Sequence, residues 1–211
     1  MEFHEFIAGF RQNITKQLPG VQSQLKMASM RRLMQDGKVV VPGDVKKAGV
    51  LALFYPSNGR VWLVFIRRAE YPGVHSGQIS FPGGGREEGD QDMVATALRE
   101  AEEEIGVSRN TVIPIGNLTD LFIPPSNFLV TPVVGYTYAR PDFMPDPDEV
   151  NEILEVPLDL LLDDKARQEK DITIFPAVKI KVPCFYIDGN IIWGATAMML
   201  NELIDVINPG S

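Results

Sequence analysis

The N-terminal segment of the chain carries apolar side chains at helical spacing. Between residues 3 and 35 these positions recur every three or four residues, with a break at Pro19-Gly20. The pattern predicts two short helices, over about residues 3–17 and 22–35. The first helix has one apolar stripe, which must pack either on the body of this chain or on a second copy. We therefore expect residues 1–47 to form a helical extension, and a homodimer is one way to bury the stripe.

The rest of the chain contains short apolar runs that are typical of strands. Runs at 50–55 and 61–66 flank Pro56-Ser57-Asn58-Gly59, which predicts a β-hairpin with a glycine-containing loop. A loop rich in glycine and proline is expected at 72–90. Further elements are predicted as strands at 112–118, 129–138, 172–182 and 184–187, and as helices at 92–105, 157–163 and 195–207. Strands mixed with single helices predict one α/β domain over residues 48–211, with a mixed sheet and helices on both faces.

The composition is that of an ordinary soluble protein with an acidic balance. The chain has 211 residues, a formal net charge of −8 and a pI of about 4.8, so we expect neither a nucleic-acid nor a membrane partner. Cys184 is the only cysteine; it can form no internal disulfide, and we expect it to be buried as a small apolar side chain. No apolar run approaches the roughly 18 residues of a membrane span, and no secretory signal is evident, so a cytoplasmic enzyme is expected.

A glycine-rich loop followed by an acidic helix carries the most chemical information. The loop is Phe81-Pro82-Gly83-Gly84-Gly85, and the helix ends in Arg99-Glu100-Ala101-Glu102-Glu103-Glu104-Ile105-Gly106-Val107. Each helical residue advances by about 100°, so Glu100, Glu103 and Glu104 share one face, with Arg99 at its edge. Glu102 is expected to point elsewhere, towards solvent. The apolar positions occupy a separate arc that we expect to pack on the sheet: Val94, Ala97, Leu98, Ala101 and Ile105.

Clustered carboxylates on one helix face are typical either of a solvated acidic surface or of a metal site. Three glutamates at i, i+3 and i+4 repel one another, and a divalent cation would convert that repulsion into ligation. Mg²⁺ and Mn²⁺ both suit a set of oxygen ligands. The glycines would let a backbone carbonyl approach the same ions, and Arg99 would orient the glutamates by charge-assisted hydrogen bonds.

Taken together, these segments resemble the Nudix box, G-x5-E-x7-R-E-U-x-E-E-x-G-U, in which U is apolar. The second half matches from Arg99 through Val107. The first half departs from the motif. Counting from Gly84, the acidic position is Asp90, with eight residues between it and Arg99; counting from Gly85 gives Gln91 with the usual spacing. Neither count places a glutamate there.

The departure is similar to the branch of Nudix enzymes that act on coenzyme A, which tend to carry an aspartate and the longer spacing. Members of that branch also carry the signature L-L-T-x-R-[S/A]-x3-R-x3-G-x3-F-P-G-G. Eleven positions of this chain fall in register with it: Val64, Phe65, Ile66, Arg67, Arg68, Ala69, Gly77, Phe81, Pro82, Gly83 and Gly84. Ile66 stands in place of the threonine, and Gly73 in place of the second arginine. The resemblance covers residues 48–205 and implies a Nudix-type α/β/α sandwich.

The resemblance also implies an activity and a set of site residues. The activity is metal-dependent hydrolysis of the pyrophosphate bond of coenzyme A or its derivatives, giving 3′,5′-ADP and 4′-phosphopantetheine. Catalysis would use Arg99, Glu100, Glu103 and Glu104, and the Mg²⁺ or Mn²⁺ ions would be bound by the three glutamates and Gly84. Substrate-binding candidates, from the signature and from two loops, are Arg68, His75, Gly77, Phe81 and Asn127.

Several points remain open at this stage. Nudix enzymes often use one more carboxylate from outside the box as a metal ligand or base, and the candidates are Asp146, Asp148, Glu149 and Glu152. Of these, Glu149 and Glu152 lie at an expected loop-to-strand junction, and the sequence does not choose between them. His75 could equally cap its loop, and Arg67 or Lys26 could supply the cation that Gly73 removes.

Two rival functions are kept. The first is the same chemistry on another nucleoside diphosphate derivative, such as ADP-ribose or NADH, in keeping with the missing arginine. The second is a non-catalytic Nudix-like ligand-sensing domain. Such domains usually lose box glutamates, and all three are present here.

Overall fold

A mixed β-sheet forms the centre of the molecule. The computed structural model describes residues 2–28, 34–35, 38–39, 41–70, 76–174 and 178–209. The helices are α1 (Phe3–Ile14), α2 (Gly20–Leu25), α3 (Met93–Ile105), α4 (Leu158–Leu162) and α5 (Gly194–Ile207), with 3₁₀ turns at Pro124–Ser126 and Asp164–Ala166. The strands are β1 (Met34–Gln35), β2 (Lys38–Val39), β3 (Lys46–Ser57), β4 (Arg60–Arg68), β5 (Ile79–Ser80), β6 (Gly83–Gly85), β7 (Ile113–Asn117), β8 (Leu121–Ile123), β9 (Phe128–Tyr136), β10 (Val150–Pro157), β11 (Arg167–Ile174), β12 (Val178–Ile187) and β13 (Asn190–Trp193).

The central sheet has the order β10-β4-β3-β9-β7. Three short strands also belong to it: β5 pairs with β4, β6 with β3 and β8 with β9. Strand β3 pairs antiparallel with β4 and parallel with β9, so the predicted mixed sheet is confirmed. The β3–β4 hairpin is also confirmed. Its two-residue turn is Asn58-Gly59, and both residues have positive φ, 49° and 70°, as the twist of a tight hairpin requires.

Helices cover both faces of this sheet, which confirms the predicted sandwich. Alternate residues of β3 point to opposite sides. Leu51 and Leu53 join a core with the apolar arc of α3, whereas Phe54 joins a second core with α1 and α5. A Cβ at Gly49 would lie 2.7 Å from the Met93 carbonyl oxygen, so a glycine is needed where the start of α3 crosses β3.

The apolar stripe of α1 packs on the body of its own chain. Phe6 and Phe10 lie edge-to-face against Phe54, with ring centroids 5.0 Å and 5.7 Å apart. The sequence left two possible partners for this stripe, the body of the chain and a second copy. In the structure the stripe packs on the chain's own sheet. The boundary at residue 47 and the homodimer stay predictions.

A buried carboxylate fixes the second helix of the extension. Glu202 of α5 is fully buried and accepts hydrogen bonds from the Gly20 N–H, the Gln24 side chain, and both the N–H and the hydroxyl of Thr119. These bonds join α2, α5 and the turn before β8. A charge without solvent needs such a set of donors, so the interaction is specific as well as stabilising.

Several predicted boundaries are wrong. The helices of the extension end at Ile14 and Leu25, earlier than expected, and part of the predicted 22–35 helix lies outside the described residues. The predicted loop 72–90 contains β5 and β6. The predicted strand 172–182 is two antiparallel strands, β11 and β12, because the same alternation of apolar residues continues on both sides of the reversal.

Strands β10 and β13, in the later part of the chain, were not predicted, since their apolar and polar side chains do not alternate regularly. Cys184 is fully buried, as expected. Within the described residues, no helix combines the length and the apolar character needed to cross a membrane.

We predict that Glu202→Ala lowers the free energy of unfolding by about 3 kcal/mol, because it leaves several buried donors without an acceptor. Equilibrium unfolding in urea measures this loss. Asp159→Ala is the control, because the Asp159 side chain is 64% exposed in its ion pair with Arg60. Such a surface pair contributes about 0–1 kcal/mol. Equal losses for the two variants would show that the Glu202 network does not stabilise the extension.

Candidate active site

Helix α3 carries the glutamate cluster, and local interactions set both of its ends. The Asp92 side chain accepts a hydrogen bond from the Ala95 N–H at 2.8 Å and caps the start. Gly106 ends the helix with a φ of 71°, in the left-handed region that favours glycine. The predicted helix at 92–105 is therefore confirmed, and its apolar arc faces β3 as expected.

The Arg99 side chain, only 10% exposed, is the centre of the site. Its Nε and Nη2 donate to the two carboxylate oxygens of Asp90 at 3.1 Å and 3.0 Å. Nη1 contacts Glu103 at 2.8 Å and Glu100 at 3.0 Å, and Nη2 also donates to the Gly85 carbonyl at 2.9 Å. All five N–H groups of the guanidinium thus have an acceptor. Arg99 orients two of the three glutamates, as its place in the sequence suggested.

Asp90 occupies the box position where the sequence departs from the motif. Besides Arg99, its carboxylate accepts from the Thr96 hydroxyl and from the Glu87 N–H, each at 2.9 Å. The hydrogen bond from Arg99 holds the pKa of Asp90 well below its usual range, against the opposing effect of burial. The aspartate therefore serves as the anchor of Arg99, a role that the sequence had left in doubt.

Glu104 is the most buried member of the cluster. Its side chain is 0% exposed, and it accepts from the Gly83 N–H at 2.7 Å and from Arg68 Nη1 at 3.2 Å. Burial raises the pKa of Glu104 to about 7, although both donors favour the charged form and so limit the rise. A buried carboxylate with such a pKa favours a nearby cation.

Glu100 lies against the glycine-rich strand β6. A Cβ at Gly84 would overlap the Glu100 carboxylate, so only a glycine leaves room for this side chain. Burial is the largest effect on Glu100 and raises its pKa. Glu103 is 55% exposed and faces solvent beyond Arg99. Glu100 and Glu104 thus both lie against β6 where α3 passes it, and Glu103 is linked to Glu100 through their shared contact with Arg99.

Glu149 and Glu152, the two candidates for an extra carboxylate from outside the box, have different surroundings in the structure. The negative charge of Glu149 contributes to the raised pKa of both Glu100 and Glu104, so it lies close to the cluster. Glu152 instead bonds to Arg67 Nε at 3.0 Å. The register of β10 against β4 shifts between residues 150 and 152, so Glu149 and Glu152 lie on either side of an irregularity in the strand.

The expected substrate-binding residues are found in different surroundings. Arg68 is 25% exposed beside Glu104 and so reaches both the cluster and solvent. Gly77 has a φ of 66° in the turn before β5, which explains the glycine by backbone geometry. Phe81 is 1% exposed and stacks on Phe65, with centroids 4.9 Å apart; this gives it a packing role in place of the expected substrate contact.

Asn127 and His75 complete the set. Asn127 has a φ of 54°, and its side-chain amide donates to the Asp44 carbonyl, so it holds the turn before β9. His75 lies outside the described residues, and its role stays a prediction. Glu102, expected to point to solvent, pairs with Arg109 at 2.5 Å on the side away from Arg99.

The cluster fits a divalent cation in its donor chemistry, although the ligands are not preassembled. In the described ranges, no three His, Cys, Asp or Glu side chains converge as a ready ligand set. Arg99, Arg68 and the Gly83 N–H contact carboxylate oxygens of the cluster. Yet Glu100 and Glu104 have raised pKa values, and Gly84 leaves space beside them. Oxygen donors in such surroundings suit Mg²⁺ or Mn²⁺.

Comparison with known proteins identifies a family for this chain. The NUDIX domain family model matches residues 45–176. The chain is 36% identical over 169 residues to Nudix hydrolase 22, chloroplastic, of Arabidopsis thaliana, covering 77% of this chain and 55% of that protein. It is 34% identical over 146 residues to the uncharacterized Nudix hydrolase NudL of Yersinia pestis, covering 69% of this chain and 72% of the relative. The chain therefore spans about half the length of the plant relative and most of the bacterial one.

Solved structures show the same architecture at low sequence identity. A Nudix hydrolase of M. smegmatis, RenU, superimposes with a TM-score of 0.54 at 16% identity, covering 79% of this chain and 88% of that one. A MutT/nudix family protein of Enterococcus faecalis gives a TM-score of 0.50 at 12% identity, over 79% and 63% of the two chains. These likenesses concern the fold alone.

We predict that Asp90→Ala lowers the free energy of unfolding by about 2 kcal/mol, because Arg99 loses two charge-assisted hydrogen bonds. Urea unfolding measures the change. Glu87→Ala is the matched control, because Glu87 is 71% exposed and its carboxylate is 3.8 Å from Arg99. Its removal should change stability by less than about 0.5 kcal/mol. A silent Asp90→Ala variant would rule out Asp90 as the anchor of Arg99.

Proposed function

The chain belongs to the Nudix hydrolase family, and on that premise we propose that it hydrolyses the pyrophosphate bond of coenzyme A or its derivatives. The products would be 3′,5′-ADP and 4′-phosphopantetheine. One observation carries the chemistry: Glu100 lies against the bare backbone of Gly84, and the negative charge of Glu149 raises the pKa of both Glu100 and Glu104. The choice of coenzyme A rests on the signature residues in register between 64 and 84.

Four carboxylates are proposed to bind Mg²⁺ or Mn²⁺: those of Glu100, Glu103, Glu104 and Glu149, together with the Gly84 carbonyl. When bound, such ions neutralise charge on the pyrophosphate and make an attacking water more acidic. The repulsion among the carboxylates supports this assignment, because added positive charge relieves it. Glu149 is preferred to Glu152 as the outer carboxylate, since Glu152 is paired with Arg67.

The protein's own groups hold the site in shape. Arg99 keeps Glu100 and Glu103 at fixed positions on α3, and Asp90 fixes Arg99 in turn. The Gly83 N–H orients Glu104. Arg68 lies between this carboxylate and solvent, so its guanidinium could also contact a substrate phosphate. We therefore keep Arg68 as a proposed substrate-binding residue.

The same activity on ADP-ribose or NADH is the nearest alternative. Coenzyme A carries a 3′-phosphate that a pocket can select only through cations or hydrogen-bond donors, and the signature arginine is replaced by Gly73. The two cations considered as replacements have other partners. Arg67 bonds to Glu152 and Asn190, and Lys26 bonds to Asp205. Because both cations already have partners, we expect the protein to select the 3′-phosphate of coenzyme A only weakly.

Other parts of the proposal rest on the sequence. A non-catalytic sensing domain is disfavoured, because all three box glutamates are present and grouped on one face. The acidic composition favours a small nucleotide substrate over nucleic acid or membrane. We also propose the cytoplasmic location that is expected from the sequence. We further propose that residues 48–211 form the hydrolase domain, with residues 1–47 as its helical extension.

We predict that Glu103→Gln abolishes turnover and weakens Mg²⁺ binding, because a neutral amide is a poor ligand for a hard cation. Hydrolysis measured at limiting metal concentration, with circular dichroism to check the fold, tests this. Glu102→Gln is the matched control one residue away on α3. Glu102 contacts Arg109 and not the cluster, so this variant should keep its activity. Near-normal turnover by Glu103→Gln would remove the metal assignment.

We also predict that the protein cleaves both coenzyme A and dephospho-coenzyme A, with kcat/KM values within about tenfold of each other, or roughly 1.4 kcal/mol. The reason is the absence of the signature arginine from position 73. A panel of pyrophosphates with Mg²⁺ or Mn²⁺, with products separated by chromatography, measures the ratio. A preference for coenzyme A above about a hundredfold would show that another cation selects the 3′-phosphate. Turnover of ADP-ribose without either coenzyme would overturn the substrate assignment.

A further inference from the structure

The segment between β9 and β10 crosses the end of the helix that carries the cluster. The Met144 N–H donates to the Ile105 carbonyl and the Asp146 N–H to the Glu104 carbonyl, each at 3.0 Å. Carbonyls in the last turn of a helix have no partner within it, so the segment supplies bonds that the helix lacks. A Cβ at Gly106 would come within 2.9 Å of Met144, and the glycine therefore permits this close crossing.

Asp146 then begins a tight turn that leads to Glu149. Its Oδ1 accepts from the Asp148 N–H at 2.8 Å, which is an Asx turn. Its carbonyl accepts from the N–H groups of Glu149 and Val150, at 3.2 Å and 2.8 Å. The side chain and the carbonyl of Asp146 thus both hold the turn that leads to Glu149.

The far side of the turn is fixed on β4. The Glu149 carbonyl accepts from the Ala69 N–H at 2.8 Å, and Val150 pairs with Arg68 in the sheet. Arg68 is the residue whose guanidinium contacts Glu104. The backbone of Glu149 is therefore held between the C-terminal end of α3 and the end of β4, the two elements that flank the carboxylate cluster.

We propose that Asp146 is a positioning residue, whose side chain fixes the turn that directs Glu149 towards Glu100 and Glu104. The proposal rests on the proposed function, because it assumes that the cluster binds a divalent cation. Glu149 is exposed, so its carboxylate would be free to turn into water if the turn were loose. Asp146 makes its side-chain bond to backbone, and a change there alters the turn without opening the core.

Binding of Mn²⁺ to the full chain, followed by the electron paramagnetic resonance signal of the free ion, tests this without measuring turnover. Asp146→Ala should weaken Mn²⁺ affinity about tenfold, as is typical when a group that orients a ligand is lost. Asp146→Asn keeps an oxygen that accepts the Asp148 N–H and should bind as the wild type does. Asp148→Ala removes a charge from the same turn but keeps the N–H donor, and should also bind normally.

The effect of Asp146→Ala is measured a second time in the Glu149→Gln variant, to test whether Asp146 acts through Glu149. In Glu149→Gln, the further change Asp146→Ala should not weaken Mn²⁺ binding any more, since the ligand that it orients is gone. Normal Mn²⁺ affinity in Asp146→Ala, or equal losses in Asp146→Ala and Asp146→Asn, would overturn the positioning role. If Glu149→Gln binds Mn²⁺ normally while Glu103→Gln does not, Asp146 has no ligand to position, although the metal site itself stands. No Mn²⁺ binding by the wild type would overturn both proposals.

Discussion

One guanidinium group holds together carboxylates that would otherwise repel one another. Arg99 donates all five of its N–H groups, and its acceptors include Asp90, Glu100 and Glu103. A charge this little exposed is costly unless it is paired and hydrogen-bonded, so these partners stabilise the buried guanidinium. The side chain links the loop before α3, the strand β6 and the helix itself. The rest of the proposed site depends on this link, because it sets where Glu100 and Glu103 lie.

The fold supplies the two surfaces between which this cluster forms. Gly49 lets the start of α3 cross β3, and Gly84 leaves room for the Glu100 carboxylate. The Gly83 N–H then reaches Glu104 from the same short strand. Burial raises the pKa of Glu100 and of Glu104, because their carboxylates lie where the charged form is poorly solvated. Without a bound cation, such a site is destabilised by repulsion among its carboxylates. A divalent cation bound there would relieve that repulsion.

Local periodicity predicted a large part of this arrangement. The face shared by Glu100, Glu103 and Glu104, the β3–β4 hairpin and the two-sided packing of the sheet all follow from patterns within one element. What the sequence could not provide are contacts between distant segments. The bond between Asp90 and Arg99 depends on how the loop folds back, and the difference between Glu149 and Glu152 depends on a local irregularity of β10. The reversal between β11 and β12 was missed because alternation does not record direction.

If these carboxylates bind a divalent metal ion, anomalous diffraction from Mn²⁺ can locate that ion. Crystals of the full chain would be soaked in Mn²⁺ and measured at the manganese absorption edge. We expect an anomalous difference peak within ligating distance of Glu100, Glu104 and Glu149, with Glu103 turned partly from Arg99 towards the ion. A peak elsewhere, or none at a Mn²⁺ concentration that supports hydrolysis, would contradict it.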